Sequence, residues 1–389
     1  MKHNRWIALG LTLLMALSLA ACGQPEAAQE SPTAETAEAS DDAAAPDESP
    51  EPEAPTPAPV RVLSLKGPTG MGLAGMMKKH QDDSDATYQF ELVSAPDEVV
   101  AALTSGTADI AAVPSNLAAT LYNKTSGDIQ VLAVNALSNL YVLSDDESIQ
   151  SIADLAGKTL HATGQGASPE YVLNELLAAN GVVDCTIEWH AEHSELATLM
   201  ASGDVTLGLL PEPFVEVALA KNEALASRID INAEWNVQRP GSPLPMGTMV
   251  VRKAFAAEQP EVVDQFLEEY RQSVADVNAN PEEAGMWIAE LGIFDNAAIA
   301  TLAIPKCNMV FLREASDDAP GMIEILMKYY RVLFDANPKS IGGAMPESDF
   351  FYGMEIEAEE QLAALTAEEA TTVAETSPEG VVESEAPAA

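Results

Sequence analysis

The sequence predicts an α/β protein of two doubly wound lobes joined by a two-strand hinge. Once the compositionally biased ends are set aside, about 295 residues remain at 59–353, more than one hydrophobic core normally serves and natural for two. Short apolar runs alternate through this stretch with amphipathic helical patterns at βα spacing. The alternation falls into two series, with an outward crossing near 138–142 and a return near 245–249.

The first series opens with a strand at 61–65 and a helix at 69–79. A strand at 88–93, a helix at 96–104, a strand at 109–113, a helix at 115–122 and a strand at 130–134 follow. Strands separated by helices pair in parallel, so this lobe is expected to hold a parallel sheet with helices on both faces. The second lobe is 141–245, and its series of elements starts after the run 139–144. It reads as strand 159–163, helix 168–179, strand 186–190, helix 194–202, strand 205–210 and helix 212–220. The apolar run 246–251 returns the chain, so the first lobe comprises 60–140 and 246–353. Beyond Gln259 the pattern is helical, with Val263, Phe266, Leu267 and Tyr270 on one stripe. Further helices are expected near 281–291, 296–303 and 320–334.

Both ends differ from this body. Residues 1–21 pair a charged start, Lys2 and Arg5, with an apolar run at 6–20 that is too short and wrongly flanked to span a bilayer. Small residues, Ala20 and Ala21, precede Cys22. The segment resembles a bacterial lipoprotein signal, which implies cleavage before Cys22 and a diacylglycerol on its sulfur. Residues 22–59 are then an acidic, Pro/Ala-rich stalk without Lys or Arg, too polar to offset the entropy of ordering. Residues 354–389 repeat that composition and are expected to form a disordered acidic tail with a weakly helical patch at 357–367. Without the ends, 17 basic residues face 41 acidic ones, a net charge of −24. Nucleic acid and anionic lipid both need clustered Lys and Arg and are excluded as partners.

In doubly wound sheets ligands lie beyond the carboxyl ends of the strands, and four loops qualify. Pro68, Thr69 and Gly70 follow the first strand, and Ser115 and Asn116 follow the third. Gly164, Gln165, Gly166 and Ser168 open a helix with free backbone N–H groups suited to an anion. Glu212, in Pro211-Glu212-Pro213, follows a second-lobe strand. Asn135 closes the last first-lobe strand and can reach a ligand from the hinge. Tyr141, Trp189, His190 and Phe214 offer flat surfaces for a heteroaromatic ring, although core packing is the expected fate of Phe214 and Trp235. Lys66 is the only basic side chain in these loops. Backbone dipoles would therefore hold an anionic group, while Glu212 asks for a neutral or cationic end.

His190-Ala191-Glu192-His193 has two imidazoles three positions apart but lacks the H-E-x-x-H spacing and a third ligand. No G-x-S-x-G elbow, P-loop or C-x-x-C is present, and neither a metal nor a cofactor is expected. Cys185 and Cys307 are read as free thiols, because a bridge between lobes would lock the crevice.

Ile152-Ala153-Asp154-Leu155-Ala156-Gly157-Lys158, the step Ser105-Gly106-Thr107-Ala108-Asp109, the Leu210-Pro211-Glu212-Pro213 corner and the return strand after Gly247 resemble extracytoplasmic solute-binding proteins of ABC importers. They look most like the branch of sulfonate, nitrate and thiamine-precursor binders. The resemblance implies the type 2 periplasmic-binding-protein fold and a lipid-anchored, monomeric receptor outside the cell membrane. Such a receptor closes on a small organic ligand, with a zwitterion or amino-heterocycle favoured here over a simple anion, and delivers it to a permease and its ATPase. A receptor serving a membrane sensor, and an enzyme on the same fold, are the alternatives.

Overall fold

The computed structural model describes residues 58–81, 87–316 and 320–376, with side chains as far as 366. The segments read as a signal peptide and a stalk, with Cys22, lie outside the described residues up to residue 57. The first series forms β1 (Val60–Leu65), α1 (Pro68–Met71), α2 (Ala74–Lys79), β2 (Tyr88–Val93), α3 (Pro96–Ser105), β3 (Ile110–Pro114), α4 (Ser115–Lys124) and β4 (Ile129–Leu137). The second forms β5 (Leu140–Ser144), β6 (Thr159–Thr163), α5 (Ser168–Ala179), β7 (Thr186–His190), α6 (His193–Ser202), β8 (Leu207–Pro211), α7 (Phe214–Leu219), β9 (Ala226–Asp230) and α8 (Ile231–Gln238). After β10 (Pro245–Arg252) come α9 (Lys253–Glu258), α10 (Pro260–Ala279), α11 (Pro281–Glu290), α12 (Ala297–Ala303), β11 (Met309–Leu312), α13 (Met322–Ala336) and α14 (Glu355–Thr376).

The strands make two sheets, in the orders β11-β4-β10-β3-β1-β2 and β7-β6-β8-β5-β9. The first is mixed, not parallel throughout. β1 runs parallel to β2 and β3, whereas β10 is antiparallel to both β3 and β4. The cause is the hinge: the chain re-enters the lobe through the end by which β4 left it, so its return strand must run the other way. β4 passes into β5 across Ser138 and Asn139 alone. The result is an α/β protein of two lobes with two strand crossings between them.

Four differences from expectation have local causes. The helix expected at 69–79 breaks at Gly72, where an added Cβ would lie 2.9 Å from the Tyr270 hydroxyl. Buried Ser273 of α10 satisfies the broken turn, its hydroxyl donating to Gly72 O at 2.7 Å and accepting from Met76 N at 2.9 Å. The edge strands β9 and β11 are not expected from the sequence, β11 because it has only four residues and β9 because Ser227 and Arg228 interrupt its apolar pattern. Asp230 at the end of β9 caps α8, accepting from Asn232 N at 2.8 Å. The tail expected from residue 354 begins as a helix: Met354, just before α14, and Ala358, Leu362 and Leu365 on it pack against the core.

α13 was expected within the first lobe alone. It packs against α4 of that lobe and also against α5 of the second, and its Tyr329 ring stands edge-on to buried Trp235 of α8 at 6.2 Å. Asp109, at the opposite end of the first sheet, accepts from Arg61 Nε at 2.9 Å and from Arg252 Nη2 at 2.6 Å. Those bonds outweigh its burial and hold its carboxyl below the usual range.

Candidate functional site

The candidate loops follow the carboxyl ends of strands in both sheets. Lys66 to Gly70 leaves β1 with Gly67 at φ 91°, and Gly67 N donates to Ile293 O at 3.1 Å. A Cβ on Gly70 would lie 2.7 Å from Leu65 O, so the turn tolerates no larger residue without moving. Thr69 and Pro68 are half-buried. Thr69 makes no side-chain cap, since α1 is a single turn opened by Gly67; its carbonyl takes a long bond, 3.5 Å, from Asn135 Nδ2.

Ser115 and Asn116 begin α4, and both are buried. Ser115 does not cap; its Oγ has no hydrogen-bond partner among the described residues, while its carbonyl accepts from the Tyr330 hydroxyl of α13 at 2.9 Å. Asn116 Oδ1 accepts from Ser168 Oγ of α5 at 3.1 Å, which brings the first turns of α4 and α5 together across the crevice. Ser168→Ala removes this buried bond and leaves Asn116 Oδ1 unpaired. Loss of about 1 kcal/mol in denaturant unfolding is expected.

The Gly164 loop is arranged differently from the anion cradle read in the sequence. Gly164 is half-buried, Gln165 and Gly166 are exposed, and the Gly166 N–H donates to Glu170 Oε2 of the same chain at 2.5 Å. A carboxylate already occupies the donor that an anion would need. Of that loop, only Ser168 reaches the crevice interior by a bond to the other lobe.

Glu212 stands out. It lies just past β8, outside α7, and is completely buried, with no hydrogen bond of ordinary geometry to either carboxyl oxygen among the described residues. Its backbone N–H donates to Asn139 O at the first crossing, 3.0 Å away. Its electrostatic neighbours come from both lobes: Glu216 and Tyr141 from the second, Lys306 and Cys307 from the first. Burial, and then the charge of Glu216, push its pKa up to about 8 against the smaller opposing effects of Lys306 and the Glu216 N–H. A carboxyl in that state donates one hydrogen bond and accepts others, or ionises when a cation is placed beside it.

Beside Glu212, Phe214 is half-buried rather than core. Its ring lies 5.8 Å from Phe294 of the first lobe and 5.3 Å from His193. His193 Nδ1 is 2.6 Å from Thr163 Oγ1, and burial lowers its pKa to about 4, so the imidazole is neutral. Phe294, in the short connection between α11 and α12, and Lys306, in the helical turn after α12, are not among the residues read from the sequence, because neither follows a strand end. His190 pairs instead with His161, Nε2 to Nδ1 at 3.0 Å. Trp235 is fully buried core, and Cys185 and Cys307 are free.

A search of curated proteins gave no match. Among solved structures, an ABC transporter protein of Parabacteroides distasonis is 22% identical over 75% of this chain and 98% of its own, with a TM-score of 0.64. The periplasmic aliphatic sulphonate binding protein SsuA of Escherichia coli is 16% identical over 74% of this chain and 91% of its own, with a TM-score of 0.58. The alkanesulfonate-binding SsuA of Xanthomonas axonopodis pv. citri, bound to MOPS, is 15% identical over 75% of this chain and 95% of its own, with a TM-score of 0.55. At such identities these likenesses bear on the fold, that of periplasmic binding proteins. The NMT1/THI5-like family model matches residues 85–284, more than half of the sequence, and the chain belongs to that family.

Proposed function

We propose that this protein is the solute-binding receptor of an ABC importer, held on the extracytoplasmic face of the membrane by lipid on Cys22. It closes its two lobes on a small organic ligand and presents it to the permease, without chemistry on the ligand. Glu212 carries the proposal. A buried carboxyl lacking partners is costly unless something else completes it, and this one sits where the lobes meet. A ligand's ammonium, amidinium or ring N–H supplies the missing donor, which makes a zwitterion or an amino-heterocycle the favoured class. Ser115, with its unpartnered hydroxyl at the start of α4, is suited to the ligand's other, acceptor-bearing end. Family membership and the ABC-transporter neighbours support the receptor role.

A thermal shift screen tests it, with taurine and other aminosulfonates, plain sulfonates, nitrate, aminopyrimidines and amino acids as probes. A ligand bound only by the folded state raises the melting temperature by mass action. Turnover of any probe would overturn the receptor role. With a hit at saturation, the radius of gyration of the folded part is expected to stay at or below its unliganded value, and its interlobe distance distribution to narrow, because a ligand touching both lobes stabilises only the closed form. Broadening on ligand addition would contradict closure.

A further inference from the structure

We propose that the lobes are latched shut before any solute arrives, by Lys306 and Phe294 of the first lobe gripping Glu216 and Phe214 of the second. Lys306, just after α12, forms an ion pair with Glu216. Glu216 stands on α7, one turn beyond Glu212, and only 9% of its side chain is exposed, against 48% for Lys306. The carboxylate is therefore buried in the closed molecule, and its counter-charge comes from across the crevice. Two contacts flank the pair: the Phe214–Phe294 edge contact at 5.8 Å, and a long bond of 3.5 Å from the Tyr141 hydroxyl to Lys306 O. All three join the second lobe to residues 294–306 of the first, and all of them break if the lobes part.

The asymmetry of exposure makes the pair a latch rather than a passive surface bridge. When the lobes part, Glu216 regains water and loses little without its partner. When they close, an unpaired Glu216 would be desolvated beside Glu212, so removing Lys306 penalises the closed form selectively. The pair also keeps Lys306 occupied, which leaves Glu212 without a counter-ion of its own. The latch is independent of which solute is carried.

The test is a distance measurement by double electron–electron resonance in the full chain with no solute added, using labels at the exposed positions Val183 and Met286 on the two lobes. The unmodified latch is expected to give one narrow, short distance. Lys306→Met is expected to reduce the closed population about tenfold, with a longer, broader distribution. Glu216→Gln combined with Lys306→Met leaves no buried charge to compensate and is expected to restore at least half of the short-distance population, which separates latch loss from misfolding. A long distance in the parent chain, an unchanged distribution in Lys306→Met, or no recovery in the double variant would each overturn the latch. Because no solute is present, a failed solute screen leaves this result standing.

Discussion

Replacing Glu212 by Gln should make the unliganded protein more stable at pH 8 and leave it nearly unchanged at pH 4.5. Below about pH 4.5 the carboxyl holds its proton in folded and unfolded chains alike. Above that value the unfolded chain releases it, while the folded chain keeps it until about pH 8. The unfolded state then binds fewer protons than the native one, so stability falls as pH rises through this window. A displacement of that size is worth on the order of 4 kcal/mol by pH 8. Glutamine carries no ionisation to linkage and lacks this descent. Urea unfolding of both proteins at pH 5, 6, 7 and 8 measures the gap, which should widen with pH. Parallel curves would mean that Glu212 is hydrated or paired in solution, and the carboxyl would lose its standing as a ligand group. The same substitution should weaken an amine-bearing ligand, so stability and affinity move in opposite directions, as expected of a strained functional group.

Trp235→Ala should have the other large effect, destabilising the fold by roughly 3 to 5 kcal/mol. The indole is fully buried, its Nε1 donates to Ser242 O at 3.0 Å, and the Arg239 guanidinium stacks over its ring at 4.5 Å. Truncation leaves a cavity and an unpaired carbonyl at once, and strips the Arg239 guanidinium of its ring while its ion pair with Glu175 remains. Because Trp235 also meets Tyr329 of α13, the loss should loosen the tie between that helix and the second lobe. Chemical denaturation should show a lower midpoint, and hydrogen exchange should show faster exchange in both α8 and α13. A midpoint within about 1 kcal/mol of the parent would show that the site collapses to fill the space.

The elements that sequence alone made legible are those whose burial is one-sided or complete over several residues. β2, β6, β7 and α5 fall at the residues expected of them, because their apolar period is uninterrupted and turn residues bound them. β9, with an exposed Ser227 in five residues, carries too little pattern. The antiparallel insertion of β10 is a property of the hinge and leaves no trace in local periodicity. In the candidate site, the strand-end rule singled out Thr69, Ser115, Asn135 and Glu212 as positions at or near strand ends. It could not show that Glu170 folds back onto Gly166 N, which is a matter of one rotamer. Nor could it pair Lys306 with Glu216 across 90 residues.

The most direct measurement is calorimetry of matched solutes against the parent protein and Glu212→Gln: taurine beside ethanesulfonate, and an aminopyrimidine beside the ring without its amine. The amine-bearing member of each pair should bind the parent more tightly and lose at least about tenfold, roughly 1.4 kcal/mol, in the variant. The amine-free member should be unaffected or tighter. If the amine-free anion binds the parent as well as taurine does, or if every solute binds parent and variant equally, Glu212 does not receive the ligand and the site proposed between the lobes is in the wrong place.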